Sequence, residues 1–381
     1  MLDKTRRSAT LRSLYTVVQP MPMKPEVFHG RDEVIEEITQ LLIKEESSRV
    51  CILGSVGMGK TSVSLGVVEQ PLIKARFLPE NLVWVPCVEA TSATLLLEIL
   101  SIQLQIRGNK QATIEGITSV LGASTQPRLI LLDNFETPYN ASRKQVEDIL
   151  RRLAMLNHVA ILVTMRGRHP PCYGAIKWQS KDIKPTDEAA SLRIYHEIHP
   201  DSVNDQDVSK LLRVLGHMPF AVALMANLAN RGRSTAKELL SAWYEDGPDI
   251  LPDLQGQSLN RSISLSVDGC LMKQNSHALL LLKILSCPPA GIPKTSLLRW
   301  WVPTLQLGMI PPAIATLFKA GLLVEKEGQD FDSPPVLFVV PVVQSFMQQQ
   351  GRIEEEIWIK AKAFAAEDIN NQTDLCDSDV V

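Results

Sequence analysis

The 381-residue sequence has no apolar run long enough to span a bilayer, and its first seven residues lack the apolar stretch of a secretory signal. These absences set the expectation of a cytoplasmic protein with no membrane partner. Its six cysteines (Cys51, Cys87, Cys172, Cys270, Cys287 and Cys376) include no C-x-x-C pair. That spacing argues against a zinc site or a disulfide framework and for buried thiols in a reducing compartment. Neither sign of charge is in excess: 39 Lys and Arg face 42 Asp and Glu, for a formal net charge of −3. A balance so close to zero gives no global attraction to nucleic acid or to anionic lipid. There is no G-x-S-x-G run, no internal repeat, and the seven histidines fall in neither ligand nor triad spacing.

What is present begins with an ordinary globular composition, 45% hydrophobic and 21% charged. The length calls for two or three domains. Within it stands Gly54-Ser55-Val56-Gly57-Met58-Gly59-Lys60-Thr61, which fits G-x-x-x-x-G-K-[ST]. The short apolar run before it suits a buried parallel strand, and the residues from Thr61 and Ser62 onward can open a helix. Glycine lets backbone N–H groups approach phosphate oxygens, and the following helix directs its positive end to the same place. Lys60 can reach the β- and γ-phosphates, and the Thr61 hydroxyl can ligate Mg²⁺. Gly54, Gly57, Met58, Gly59, Lys60, Thr61 and Ser62 are therefore the candidate phosphate set.

Three further stretches bear on the same chemistry. Residues 128–136 place Asp133 at the end of an apolar strand, where a carboxylate downstream of a phosphate loop holds Mg²⁺ directly or through water. Glu136 is either a general base for an attacking water or a solvated loop acid. Residues 159–164 form another apolar strand leading to Arg166, which either senses a γ-phosphate or lies on the surface. Residues 216–221, Gly-His-Met-Pro-Phe-Ala, start a helix with Pro219 just inside it. Asn109-Lys110-Gln111-Ala112 lacks the acid of a guanine-reading N-K-x-D run, which favours adenine.

The pattern along the chain predicts an α/β, parallel-sheet, phosphate-loop domain over residues 25–183, after a leader of residues 1–24. Its strands are expected at 50–53, 82–88, 129–132 and 159–163, and its helices at 34–43, 62–68, 94–104 and 145–156. Residues 184–250 carry only helical periodicity, with helices at 187–196, 207–215, 218–228 and 235–243 and a break at 246–249. Residues 258–350 read as three helices (278–285, 294–301, 312–320) and two strands (322–326, 336–340), a winged-helix pattern. Residues 351–381 finish a helix begun at 342 and running to 365, then an acidic tail with Asp374, Asp377 and Asp379. Trp243, Trp300 and Trp301 sit at helical positions as core or domain-contact residues.

Together these motifs resemble the STAND NTPases, signalling ATPases that include the NB-ARC domains of NOD-like receptors, with fungal NLR-like members most alike. Pro25-Glu26-Val27-Phe28-His29-Gly30-Arg31 looks like the family's P-x-x-F-x-G-R motif. The resemblance implies that Val27, Phe28 and Arg31 line the adenine and that Pro219 lies against it. Met58, residues 132–136 and residues 164–167 look like fungal-type variants. The resemblance further implies a switch that binds ATP or ADP with Mg²⁺, opens on exchange, assembles with copies of itself and answers to an upstream sensor and a downstream effector. A C-terminal repeat sensor and an N-terminal effector, usual in the family, find no counterpart, which gives the expectation of a bare switch core or a shortened form. Two departures bear on turnover. The stretch 339–343 has no histidine where many members contact the ADP β-phosphate, and Asn134 stands where many carry a second Asp. Slow hydrolysis, or a nucleotide-bound scaffold that does not hydrolyse, follows from them. A DNA-binding regulator acting through the winged helix is the remaining reading. The sequence counts against it and against a nucleic-acid partner, because 312–320 has one basic residue, Lys319, and the wing carries Glu325, Glu327, Asp330 and Asp332 against Lys326.

Overall fold

The computed structural model describes residues 18–44, 47–88, 90–106, 112–246, 263–264, 266–288, 291–295, 297, 309–326 and 334–359. Most of the predicted leader, Asn109, Lys110 and Gln111, Trp300, Trp301, Glu327, Asp330, Asp332, most of the helix expected at 294–301 and the acidic tail lie outside the described residues. Contacts gather the chain into two units. One holds the residues up to Gly54 together with Gly59–Ile183; the other holds Ser55–Met58 and the residues from Lys184 onward.

The first unit is built on a five-stranded parallel sheet of β1 (Arg49–Leu53), β2 (Leu82–Pro86), β3 (Arg128–Asp133), β4 (Val159–Met165) and β5 (Gln179–Asp182). Their order across the sheet is β2-β3-β4-β1-β5. Strands β3 and β4 are near-continuous aliphatic runs, as strands covered on both faces must be, and every residue of β4 is buried. Register levels the strand ends. Leu53 pairs with Met165 across β1 and β4, and Leu132 pairs with Val163 across β3 and β4. The residues that follow these strands therefore emerge along one edge of the sheet. The fifth strand was not foreshadowed by the sequence pattern. Gln-Ser-Lys-Asp is polar and mostly exposed because β5 is the outer strand, tied down by Lys181 to Glu37 at 2.5 Å.

Helices α1 (Asp32–Lys44), α2 (Lys60–Val68), α3 (Pro71–Arg76), α4 (Ala93–Gln103), α5 (Ile114–Gly122), α6 (Glu136–Ala141) and α7 (Arg143–Ala154) surround the sheet. Three of these, α3, α5 and α6, add to the four read from periodicity. The strongest sequence signal is α7, which buries Val146, Ile149, Leu150 and Leu153 in one stripe. Each such side chain contributes about 1.5–3 kcal/mol on burial. Ser92 caps α4 by accepting the Leu95 N–H, and Thr113 caps α5 by accepting that of Gly116.

In the second unit α8 (Glu188–Ile198), α9 (Val208–Val214), α10 (Pro219–Gly232) and α11 (Ala236–Asp246) follow one another. Asp187 starts α8 by accepting the Ala190 N–H at 2.6 Å. Beyond them lie α12 (Cys270–Lys273), α13 (Ser276–Leu285), α14 (Ile310–Lys319) and α15 (Pro341–Gln349). Strands β6 (Ile292–Pro293), β7 (Leu323–Lys326) and β8 (Val336–Val339) form an antiparallel sheet in the order β6-β8-β7. The single helix expected from 342 to 365 is corrected: α15 stops at Gln349, and Gly351 follows with φ of 59°. A glycine in the left-handed region just past a helix ends it, because the next turn cannot continue. Helical residues resume at 355–359.

Candidate functional site

The sheet order decides what meets what. Because β4 lies between β1 and β3, the phosphate loop after β1, Arg166 after β4 and Asp133 at the end of β3 stand in one row. Gly54 leaves β1 with φ of 153°, and a Cβ there would stand 2.8 Å from the Ile183 carbonyl oxygen. Gly59 caps α2 with φ of 84°, in left-handed backbone that a side chain disfavours. The first turn of α2 carries no acid, so its positive end is left for an anion. Lys60 is buried, and its ammonium donates to the Gly54 carbonyl at 2.9 Å. Burial is the main force lowering its pKa to about 8. Glu136 opposes that shift, Arg166 adds to it and Asp133 opposes it.

Asp133 is 2% exposed and sits at the centre of a hydroxyl-rich knot. Thr61, on the first turn of α2, donates to Asp133 Oδ1 at 2.9 Å, and Thr164, on β4, donates to the same oxygen at 2.5 Å. The Asn134 amide donates to Oδ2 at 3.3 Å. Asn134 itself has φ of 56°, and its N–H donates to Thr164 Oγ1 at 3.0 Å. Burial raises the Asp133 pKa, while the Thr164 and then the Thr61 hydrogen bonds hold it down. Thr164 belongs to the run 164–167 singled out in the sequence, but no role was assigned to it there. Its place two positions before Arg166, at the end of an apolar run, was the sign of it.

Glu136 begins α6, three residues beyond Asp133. Its Oε1 lies 3.1 Å from Arg166 Nε, and its Oε2 accepts the Arg166 backbone N–H at 3.3 Å. Side-chain exposure is 12% for Glu136 and 17% for Arg166, so both ends of the pair are largely shielded from solvent.

The other predicted residues fall as follows. Thr61 and Ser62 are half-buried on the first turn of α2, and Met58 is buried. Val27 and Phe28 are half-buried before α1, and Arg31 is buried with its carbonyl accepting the Ile35 N–H at 3.0 Å. The Lys24 ammonium lies 5.3 Å from the Phe28 ring centre and 3.7 Å from Glu69, just past α2. A Cβ on Gly66 of α2 would meet Ile35 at 2.7 Å, so α1 packs close on the helix that bears Lys60 and Thr61. Pro219 opens α10 in the second unit, where Phe220 donates its N–H to the Gly57 carbonyl at 3.3 Å. A cavity of about 390 Å³ lined by Arg49, Arg151, Met155 and Lys177, among others, includes none of the predicted site residues. No helix among the described residues is long and apolar enough to cross a membrane.

Comparison with known proteins agrees with this geometry. Residues 21–172 match the family model described as Novel STAND NTPase 1, about two fifths of the chain. No curated protein matches. A Walker-type ATPase of Pyrococcus abyssi superposes with a TM-score of 0.57 at 14% identity, over 88% of this chain and 99% of that one. A STAND protein with a tetratricopeptide repeat sensor from Pyrococcus horikoshii gives a TM-score of 0.38 at 16% identity, over 92% of this chain and 47% of its own. The Orc1 protein of Aeropyrum pernix in complex with DNA gives 0.44 at 14% identity, over 86% and 94%. Only the first of these superpositions is good enough to speak to fold, and it shows that the chain shares the α/β P-loop NTPase-like fold. Residues 21–172 are therefore similar to a STAND-class P-loop NTPase domain.

Proposed function

We propose that the chain is an ATP/ADP-binding signalling switch of the NB-ARC-like STAND type, with slow hydrolysis and with nucleotide exchange driving self-assembly. The observation that carries the reading is the Thr61–Asp133–Thr164 hydrogen-bonded knot beside Lys60 and the Glu136–Arg166 pair. Phosphate binding falls to Lys60 and to the N–H groups of the glycine loop and of the start of α2. The resemblance of residues 25–31 assigns the adenine side to Val27, Phe28 and Arg31, and residues 216–221 add Pro219 to it. The fungal NLR-like affinity rests on Met58 and on residues 132–136 and 164–167. In this reading residues 25–183 are the nucleotide-binding domain, 184–250 a helical lid and 258–350 a winged helix. The succession α13, α14, β7, β8 supports the last of these.

The donor set suits Mg²⁺. A buried carboxylate and a primary-turn hydroxyl are hard oxygen ligands, and a hard cation would compensate the burial that raises Asp133. When bound, Mg²⁺ neutralises charge on the phosphate oxygens. The chain's own residues do the rest. Asp133 and Thr61 hold the metal side, and Lys60 gives up the Gly54 carbonyl for the phosphates. Arg166 turns from Glu136 to the γ-phosphate. Glu136, thereby released, accepts a proton from the water that attacks the γ-phosphorus, leaving ADP and inorganic phosphate. The pairing of Glu136 with Arg166 and the amide of Asn134 on Asp133 Oδ2 both favour slow turnover.

The non-hydrolysing scaffold is the second reading, favoured by the same ion pair, which keeps the base engaged. Nucleotide released by denaturing the purified protein separates the two. Near-stoichiometric ADP is the outcome expected for the switch, and bound ATP would mean the scaffold. Lys60→Ala should empty the site, and a variant that still binds nucleotide would defeat both readings.

A further inference from the structure

The Glu136–Arg166 pair is connected by a second route that leaves the phosphate site altogether. Tyr139 stands one turn after Glu136 on α6. Its hydroxyl donates to Glu147 Oε1 on α7 at 2.9 Å and accepts the Cys172 N–H at 3.3 Å. Cys172 lies six residues after Arg166, in the irregular segment between β4 and β5. A tyrosine hydroxyl has one proton to give and lone pairs to receive, so one atom fastens the segment that carries Arg166 to the helix that carries Glu136.

Neither end of this tie is loose. The Tyr139 ring stacks on buried Phe135 with centres 6.2 Å apart and planes at 30°, and the Arg143 guanidinium lies 5.4 Å from the ring centre. Glu147 also takes Arg143 at 2.9 Å and Arg151 at 3.2 Å. Cys172 has φ of 52°, and its carbonyl accepts the N–H groups of Ala175 and Ile176 at 2.9 and 3.2 Å. Trp178 donates to the Pro171 carbonyl at 2.7 Å. A non-glycine residue held in left-handed backbone persists only where its surroundings over-determine it. Burial and the bond to Glu147 both raise the Tyr139 pKa, so the phenol keeps its proton across the working range.

We infer that the Tyr139 hydroxyl is a positioning group for Glu136 and Arg166, fixing the segment after β4 to α6 and so setting how far Arg166 can travel from Glu136. Its consequence for turnover rests on the nucleotide-switch reading; the coupling itself does not. Tyr139 touches neither phosphate nor water in this account and acts only through the two residues it aligns.

Tyr139→Phe keeps the ring, its stack and its volume and removes only the tie. In the full chain, amide hydrogen exchange should quicken at Cys172 and also at Arg166, whose N–H is bonded to Glu136. Turnover should fall about fivefold, the change that follows from losing one ordinary hydrogen bond. ADP affinity should stay unchanged, and the same substitution in an Arg166→Ala background should cost nothing further. Faster exchange confined to Cys172, or a loss that adds fully to that of Arg166→Ala, would overturn the inference and leave Tyr139 as a brace for the loop alone. If the wild type binds no nucleotide, the switch reading fails, while the exchange at Arg166 still decides the coupling. Should Tyr139→Phe fail to fold, Tyr139→Met, which fills the space without a hydroxyl to accept the Cys172 N–H, carries the same expectation at the Arg166 amide.

Discussion

Arg166 Nε stands 3.1 Å from Glu136 Oε1, so the two residues assigned to sensing and to base chemistry occupy each other. In a site this shielded, an ion pair is strong enough to hold both side chains in one geometry, and separating it without a replacement partner is costly. A γ-phosphate supplies that replacement for the arginine, whereas ADP does not. In the proposed switch the pair therefore distinguishes ATP from ADP. Arg166→Ala should bind ADP as before and lose its preference for ATP, and turnover should fall by about 10²–10³ as an electrostatic contact in the transition state is removed. Unchanged ATP preference in equilibrium titrations, together with unchanged turnover, would show that Arg166 senses nothing.

Glu136→Gln separates base chemistry from binding. The amide is close in shape and can still accept from the Arg166 N–H, but it cannot take a proton from water. ATP should bind at near wild-type affinity, with phosphate release slower by about 10²–10⁴. Phosphate release at the wild-type rate in a single-turnover assay would remove Glu136 from the chemistry.

On the proposed reading, Lys60 should make nucleotide binding depend on pH. With its pKa at about 8 in the ligand-free protein, against the ordinary 10.5, it is the folded state that sheds the proton first. The unfolded chain then holds more protons between those values, so this group alone makes the fold more stable as pH climbs from about 8 toward 10.5. Binding runs the other way, because phosphate needs the ammonium. Nucleotide should therefore take up about half a proton at pH 8, and affinity should weaken above it by up to about a decade per pH unit. Calorimetry in two buffers of different ionisation enthalpy measures the uptake directly. A flat affinity from pH 7 to 9 with no uptake would mean that Lys60 does not meet the phosphates.

Much of the first unit was legible because its central strands are buried on both faces and read as plain aliphatic runs, as in Ile130 to Leu132 and Val159 to Val163. The glycine loop was legible because its glycines and lysine all fall within residues 54–60. What could not be read was adjacency across the sheet. Nothing in the chain order places β4 between β1 and β3, yet that placement brings Arg166 to Glu136 and Thr164 to Asp133, pairs about thirty residues apart. Strand β5 escaped because an edge strand needs no apolar alternation, and the stop after Gln349 escaped because one glycine, Gly351, outweighs a helical pattern that runs on past it. Tyr139 gave no signal at all, since its meaning lies in Cys172 and Glu147, which chain proximity does not supply.

Thr164 tests the knot itself. Its hydroxyl donates to Asp133 Oδ1 and accepts the Asn134 N–H, so Thr164→Val leaves a buried carboxylate one donor short and a backbone N–H without its partner. Such losses cost about 1–3 kcal/mol, and for a unit of this size about 2–4 °C in Tm per kcal/mol. The pH dependence identifies which loss dominates. Burial raises the Asp133 pKa and the Thr164 hydrogen bond restrains it, so the variant should carry it higher still. A carboxyl whose folded pKa lies above its unfolded value contributes stability at low pH, and that contribution drains away as pH rises through the folded value. Thr164→Val should therefore lose more against wild type at pH 8 than at pH 5, because its Asp133 carboxyl is the harder of the two to ionise. Mg²⁺ with nucleotide should recover part of the loss at pH 8 by neutralising the same carboxylate. Equal losses at both pH values, unmoved by Mg²⁺ and nucleotide, would assign the hydroxyl to Asn134 and leave Asp133 without a metal-binding role.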